Sequence, residues 1–338
     1  MKLGSLKSDS FDGDLCIVSH DLKKVANIKH ICPNFRSAIE QWDAVSSKLN
    51  AINTLLNSGQ TLTELLSAEK ISDYHPEKML SALPRTWLFV DGSAFIHHIR
   101  LVRKARNAEP PETLMTVPLV YQGEAGRFLS PTENIPQRDI SEGTDFEAEV
   151  GVITDFVPMG TEAEAALQHI LFVVLINDVS LRGLIPAELA QGFGFFQSKP
   201  ASALSPLALT LDELKDSWQA GRLHLPLHVE LNSQTFGQAN AGAMHFHFGQ
   251  LIAHAAKTRD LPAGTIIGSG TVSNEDPTVG SSCLAEKRTI EQIQNGKIET
   301  QFLKPGDQIK IFMNNLDGQN LFGDIQQKVV SKSSSPRP

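Results

Sequence analysis

The amino-acid sequence predicts an α+β, β-rich fold, with a small N-terminal domain ahead of a larger C-terminal one. Three observations carry this expectation. Short apolar or alternating segments bounded by Asp, Gly, Ser and Pro recur along the chain, which is the pattern of strands. Helical spacing is confined to a few stretches. At 338 residues the chain exceeds a domain of roughly 150 residues, and a new apolar segment, Arg85-Thr-Trp-Leu-Phe-Val90, begins directly after Pro84. The divisions are therefore 1–84 for a small α+β domain, 85–330 for the larger domain, and 331–338 (SKSSSPRP) for a disordered tail.

Within the first part, residues 1–6, 14–18 and 24–28 read as strands separated by polar turns. Ser37 to Asn57 reads as an amphipathic helix with Ile39, Trp42, Val45, Leu49, Ile52 and Leu56 at helical spacing, closed by Ser58-Gly59. Leu62 to Pro84 mixes a short helix and a connector. In the second part, residues 146–153, 169–178, 225–231, 265–267 and 308–312 read as strands, and Met244 to Thr258 as a helix. The chain has no internal repeat.

Composition excludes several classes of function. Hydrophobic residues make up 41% and charged residues 20%, enough for a packed core. Thirty basic against thirty-eight acidic residues give a formal charge of −8 with no basic run, so no nucleic-acid footprint is expected. The longest apolar run, Ile170 to Ile176, falls far short of the roughly 20 residues of a membrane span, and the N-terminus turns polar where a signal peptide turns apolar. A cytoplasmic protein is expected. Cys16, Cys32 and Cys283 form neither a disulfide framework nor a zinc pattern. There is no GxSxG, HExxH or GxxxxGK[ST] motif, and Gly268-Ser-Gly270 lacks the third glycine of a dinucleotide fingerprint.

The most informative segment is Asp145-Phe-Glu-Ala-Glu-Val-Gly-Val-Ile153. Side chains of a strand alternate, so Glu147 and Glu149 share one face with Gly151, while Phe146, Ala148, Val150 and Val152 line the other. Two like charges side by side need open solvent or a cation, and solvent is the commoner case. The run Ile170 to Ile176 shifts the balance, because it delivers Asn177-Asp178 where a strand leaves the core. A third carboxylate there completes an all-oxygen set suited to Mg²⁺, Ca²⁺ or Mn²⁺. No His or Cys lies close enough in sequence to suggest zinc.

Taken with further stretches, these residues make the chain resemble the fumarylacetoacetate hydrolase family, in particular its bacterial members. The matching stretches are Pro118-Leu-Val-Tyr-Gln-Gly123, Asp145 to Val150, Leu175 to Arg182, Phe195 to Lys199 through Ser205-Pro206, and Gly268-Ser-Gly-Thr-Val-Ser273. They run in the family's order and span residues 85 to 325. The resemblance implies a catalytic domain built as a mixed β-roll, a smaller N-terminal domain, a homodimer and a small-molecule oxo-acid substrate, with no nucleic-acid or membrane partner. It implies C–C cleavage of 1,3-diketo acids, or decarboxylation, hydration or isomerisation of related oxo acids, at a divalent metal.

Carried over by position, the metal ligands are Glu147, Glu149 and Asp178. Eukaryotic members add an upstream Asp, but Gly92-Ser-Ala-Phe-Ile-His-His98 holds no carboxylate after Asp91, so the expected site has three carboxylates. The resemblance makes His98 the base, after the Gly-x-x-aromatic pattern Gly92-Ser-Ala-Phe95, and Lys199 a stabiliser of developing negative charge. Tyr121, Arg182 and Thr271 fall at substrate-binding positions, although Arg182 also reads as the partner of a carboxylate.

The partner of His98 is an open point. Position 101 is Leu, and Ala285 stands where the hydrolase has Glu. Glu286 is one residue further on, and in a strand it would face the other side unless a bulge restored it. Glu286, Glu109, Glu112 or no partner all remain. Three readings follow. The first is a fumarylacetoacetase-type hydrolase of tyrosine and phenylalanine catabolism. The second is an acylpyruvate hydrolase, oxaloacetate decarboxylase or 2-oxo acid hydratase. The third is a metal- and carboxylate-binding protein without the acid–base dyad. His245 and His247, at the start of a helix, receive no function.

Overall fold

The computed structural model describes residues 1–58, 70–105, 109 and 111–332. Gly59, the start of the connector at Leu62 and the tail from 333 lie outside them. The fold is α+β and rich in sheet, as the segment pattern predicts. An eleven-stranded sheet dominates, with strands in the order Lys70–Asp73, Lys24–Asn27, Asp14–Val18, Lys2–Leu6, Leu207–Thr210, Ile170–Asn177, Ala148–Thr154, Ile266–Gly268, Phe89–Gly92 and Val120–Gln122. Ala203–Leu204 pairs off the side of Ile170–Asn177. A second sheet orders Gln234–Asn240, Pro226–Leu231, Gln308–Phe312, Ile325–Ser331 and Ile135–Gln137.

The first strand, Lys2–Leu6, bonds to Asp14–Val18 on one side and to Leu207–Thr210 on the other. The N-terminal strands therefore extend the large sheet across the division near residue 84. That sheet is covered on both faces, which is why Ile170–Asn177 is a continuous apolar run rather than an alternating one. On one face Ala148, Val150, Val152, Val173 and Leu175 pack with Leu227, Val229, Ile309 and Ile311 of the second sheet. On the other, Ile153, Phe172, Val174 and Ile176 pack with Phe35, Ile39, Leu49 and Ile52 from the N-terminal helical segment. Phe35 and Trp42 meet Phe172 edge-on, each at 4.9 Å between ring centroids.

The helix expected over residues 37–57 is two helices, Phe35–Glu40 and Trp42–Asn57, broken at Gln41. The Asn34 side chain accepts from Ser37 N and starts the first of them earlier than the apolar spacing suggests. The buried stripe Val45, Leu49, Ile52 and Leu56 follows the predicted spacing. Among the described residues no helix is long and apolar enough to cross a membrane.

Candidate active site

Four neighbouring strands bring the acidic side chains together. Gly268 is in register with Asp91 on one side, through the parallel pair Ile266–Gly268 and Phe89–Gly92. On the other side it faces Gly151 of Ala148–Thr154, and Glu149 of that strand is opposite Ile176. Asp91, Glu149 and Asp178, which follows Asn177, consequently converge, with one carboxylate oxygen of each lying within 4.8 Å of the others. All three are buried. The approach depends on glycine: a Cβ at Gly268 would stand 2.3 Å from Asp91 Oδ1 and 3.1 Å from Glu149 Oε2. Gly270, at φ +75°, turns the chain so that its N–H donates to Asp91 Oδ1 at 3.2 Å.

This set holds two of the expected ligands, Glu149 and Asp178, together with Asp91, while the third, Glu147, stands beside it with hydrogen bonds to both of its oxygens. Glu147 Oε1 accepts from Ser180 Oγ at 2.6 Å and from Lys199 Nζ at 2.8 Å. Its Oε2 accepts from the Thr271 hydroxyl, and the Arg182 guanidinium lies 3.1 Å from Oε1. Asp91 was not named as a ligand from the sequence because it arrives through parallel pairing of segments about 180 residues apart, which local spacing does not reveal. Lys199 ties the two groups together by also donating to Asp178 Oδ2 at 2.5 Å. The open-solvent reading of the Glu-x-Glu pair fails, since Glu147 and Glu149 are 6% and 0% exposed.

The charges are unevenly satisfied. No N–H or hydroxyl donates to either oxygen of Glu149, which faces the Asp91 carboxyl, and burial, then the Asp91 charge, pushes its own carboxyl well above the ordinary range. Burial and the Asp178 charge push Asp91 up to about 8. Burial would also raise Glu147, but Arg182 and Lys199 hold it well below the usual range. Burial alone would lower Lys199, yet Asp178 and Glu147 keep its ammonium above the ordinary value. Asp91, Asp145, Glu147, Glu149 and Asp178 thus face the two cations Lys199 and Arg182. A buried carboxylate without a partner costs several kcal/mol. A hard dication among Asp91, Glu149 and Asp178 would supply that partner with the oxygen ligands it prefers, so the residues fit a metal.

Across the cavity, His98 lies in the first turn of the helix Ile96–Ala105, and its Nδ1 is 2.7 Å from Glu286 Oε2. Glu286 is 1% exposed. The strand geometry weighed for Glu286 does not apply here, because residues 284–286 open a helix. Cys283 caps the helix Leu284–Asn295, its Sγ accepting from Glu286 N. Asp145 accepts from Leu284 N and Ala285 N at the same helix start. A period of 3.6 replaces a period of 2, so Glu286 faces His98 without a bulge. Glu109 and Glu112 make no hydrogen bond to His98. The pair at His98 removes the motive for a reading without a dyad, which rested on Leu101 and Ala285.

A cavity of about 370 Å³ lies between these groups, and His98, Lys199, Tyr121, Arg182 and Thr271 all line it. The Tyr121 hydroxyl donates to Asp178 Oδ2 at 2.7 Å, and burial with the Asp178 charge keeps the phenol protonated. Arg182 Nε donates to Asp145 Oδ2 at 2.9 Å, the carboxylate pairing also read from the sequence, while its Nη2 has no hydrogen-bond partner. Sequence reasoning also missed Ser180, Ser202, whose hydroxyl donates to Asp178 Oδ1 at 2.6 Å, and Asp145. Nothing in the spacing marks the serines. The Asp of Asp-Phe-Glu-Ala-Glu was visible but unassigned.

Comparison with known proteins gives the family. The profile of the fumarylacetoacetate (FAA) hydrolase C-terminal domain matches residues 88–330, and that of fumarylacetoacetase N-terminal domain 2 matches residues 1–85. The chain belongs to the fumarylacetoacetate hydrolase family. A 2,4-didehydro-3-deoxy-L-rhamnonate hydrolase of Sphingomonas sp. (strain SKA58) is 24% identical over 259 residues, 76% of this chain and 82% of that one. An uncharacterized protein of Staphylococcus saprophyticus is 26% identical over 204 residues, and the match spans 58% of each chain. Among solved structures, maleylpyruvate hydrolase from Sphingobium sp. SYK-6, in complex with manganese(II) ion and pyruvate, aligns with a TM-score of 0.62 at 15% identity. The alignment covers 98% of this chain and 100% of that one. A 5-carboxymethyl-2-hydroxymuconate delta-isomerase from Mycobacterium smegmatis aligns with a TM-score of 0.58 at 16% identity, covering 99% and 100%. At such identities these structures share the fold.

Proposed function

We propose that the chain is a metal-dependent hydrolase that cleaves a C–C bond of a 1,3-diketo acid, fumarylacetoacetate being the favoured substrate. The observation that carries this reading is the His98–Glu286 pair facing the cavity beside the Asp91, Glu149 and Asp178 cluster. Mg²⁺, Ca²⁺ or Mn²⁺ held by those three carboxylates would act as a Lewis acid toward the substrate oxygens.

The protein's own groups supply the rest. Glu286 accepts from His98 Nδ1–H and fixes the tautomer, leaving Nε2 to take a proton from water. The resulting hydroxide adds to the acyl carbonyl, and Lys199 lies where negative charge builds on oxygen. As the C–C bond breaks, its electron pair passes to the departing carbon, and His98 returns the proton there. The products are a carboxylic acid and a ketone, fumarate and acetoacetate for fumarylacetoacetate. Tyr121 and Ser202 hold Asp178 in place by donating to its two oxygens.

A second reading, an acylpyruvate hydrolase, is favoured by the resemblance in fold to maleylpyruvate hydrolase and by the pyruvate in that complex. Both readings carry the expectation of a cytoplasmic homodimer with residues 1–84 as a supporting domain. The test follows ultraviolet absorbance of fumarylacetoacetate and of acylpyruvates with Mg²⁺ or Mn²⁺ and after chelation. Metal-dependent loss of one substrate's absorbance chooses between the readings, and no turnover of any diketo acid by the metal-loaded protein sinks both.

A further inference from the structure

Lys199 is delivered to the acidic cluster by a segment with little packing of its own. Gly192 and Gly194 adopt φ +79° and +94°, and a Cβ at either would meet no atom beyond its chain neighbours within 4 Å. Phe193 and Phe196 are exposed. Of the three phenylalanines here only Phe195 lines the cavity, where it meets Tyr121 edge-on at 5.1 Å between ring centroids. A glycine-containing loop loses much conformational freedom on ordering, and this one buries little apolar surface in return. Its order needs a polar anchor.

One carboxylate supplies it. Glu188, on the helix Ile185–Ala190, accepts from three successive backbone N–H groups. Its Oε1 accepts from Gln197 N at 2.5 Å, and its Oε2 from Phe196 N at 3.2 Å and Ser198 N at 3.0 Å. The Ser198 hydroxyl donates to Oε2 as well. Successive N–H groups aimed at one point form an anion-binding nest, and here the chain provides its own anion. Burial would raise the Glu188 carboxyl, but the Ser198 hydroxyl and the three N–H groups lower it to about 2. It is therefore ionised at neutral pH.

The nest ends where the lysine begins. The backbone oxygen of Ser198 accepts from Leu181 N at 2.8 Å, so the peptide on each side of Ser198 is tied down. From that point Lys199 Nζ reaches Glu147, Asp178 and Ser180. A lysine stem is long and flexible, so the place of its ammonium depends on where its backbone is held.

We propose that Glu188 is a positioning residue, whose carboxylate gathers the N–H groups of residues 196–198 and fixes the backbone from which Lys199 reaches the developing negative charge. This rests on the hydrolase reading, in which Lys199 stabilises that charge. Glu188 does not itself line the cavity and acts only through the lysine.

The test is a double-mutant cycle between Glu188 and Lys199, read as kcat of the Mn²⁺-loaded protein on fumarylacetoacetate or on the acylpyruvate that wild type turns over. Glu188→Ala should lower kcat roughly 10- to 100-fold, the scale of a misplaced catalytic group, with Mn²⁺ affinity and melting temperature close to wild type. The same substitution in a Lys199→Met background should cost less than about two-fold further, because the group that it places is gone. Glu188→Gln keeps the side-chain volume and turns an NH₂ toward the nest; it should follow the same pattern even where the alanine variant folds poorly. Equal losses in both backgrounds, no loss in wild type, or a parallel loss of Mn²⁺ affinity overturns the assignment and leaves the hydrolase reading standing. No turnover by the metal-loaded wild type overturns both.

Discussion

Replacing Gly268 by alanine puts a methyl group where two carboxylates converge. The new Cβ would stand 2.3 Å from Asp91 Oδ1 and 3.1 Å from Glu149 Oε2, against an ordinary contact of 3.4 Å or more. Asp91 must therefore retreat by about 1 Å, while a metal site tolerates shifts of about 0.2 Å in its ligand distances. Gly268 is not among the residues with positive φ, so alanine adds no backbone strain and the sheet should survive. Disturbing even a supporting group costs 10- to 100-fold in metal affinity, and displacing a ligand should cost at least about 100-fold, or roughly 2.7 kcal/mol. Calorimetric titration with Mn²⁺ measures this, with the melting temperature of the metal-free protein as a control on folding. An affinity within two-fold of wild type, in a variant that folds normally, would refute the placement of Asp91 in the cation site.

Three further outcomes follow from the same geometry. Glu286→Gln should lower kcat by roughly 10²- to 10⁴-fold, the scale of general base catalysis, while leaving Mn²⁺ affinity unchanged; steady-state kinetics beside a metal titration separates the two effects. Lys199→Met removes the cation shared by Glu147 and Asp178 and should cost roughly 10²- to 10³-fold in kcat with metal binding no weaker. A parallel loss of metal would instead mark Lys199 as structural. The pH dependence has a defined sign. Asp91 is raised from 3.8 to about 8 in the folded, metal-free chain, so its contribution to stability is complete below its unfolded value and is lost as pH rises through about 8. The melting temperature of EDTA-treated protein should fall between pH 6 and 9, and saturating Mn²⁺ should remove much of that fall. A pH-independent difference between the two samples would contradict it.

The strand alternation across residues 146–152 was legible because its apolar half had a core to fill, and Val150 and Val152 pack there together. Asp178 was legible for a related reason: an apolar run marks where a buried strand ends. Asp91 was not, since the registry of Phe89–Gly92 with Ile266–Gly268 is a long-range event with no local trace. Glu286 was placed with the wrong period, although the signal was present. Good helix formers through Asn295 and Gly296 in the left-handed region mark the helix and its stop, while Cys283 as the cap gives no ordinary start signal. The pairing of Arg182 with Asp145 and Glu147 was readable as charge complementarity near the acidic segment. The serine donors on Glu147 and Asp178 were not, because hydroxyls are too common to stand out.

Anomalous diffraction from crystals soaked in Mn²⁺ puts the carboxylate cluster to the most direct trial. A single strong peak should lie between the Asp91, Glu149 and Asp178 oxygens, on the His98 side of the sheet end. No peak at that position, or an ion bound with Asp91 out of reach, would contradict it.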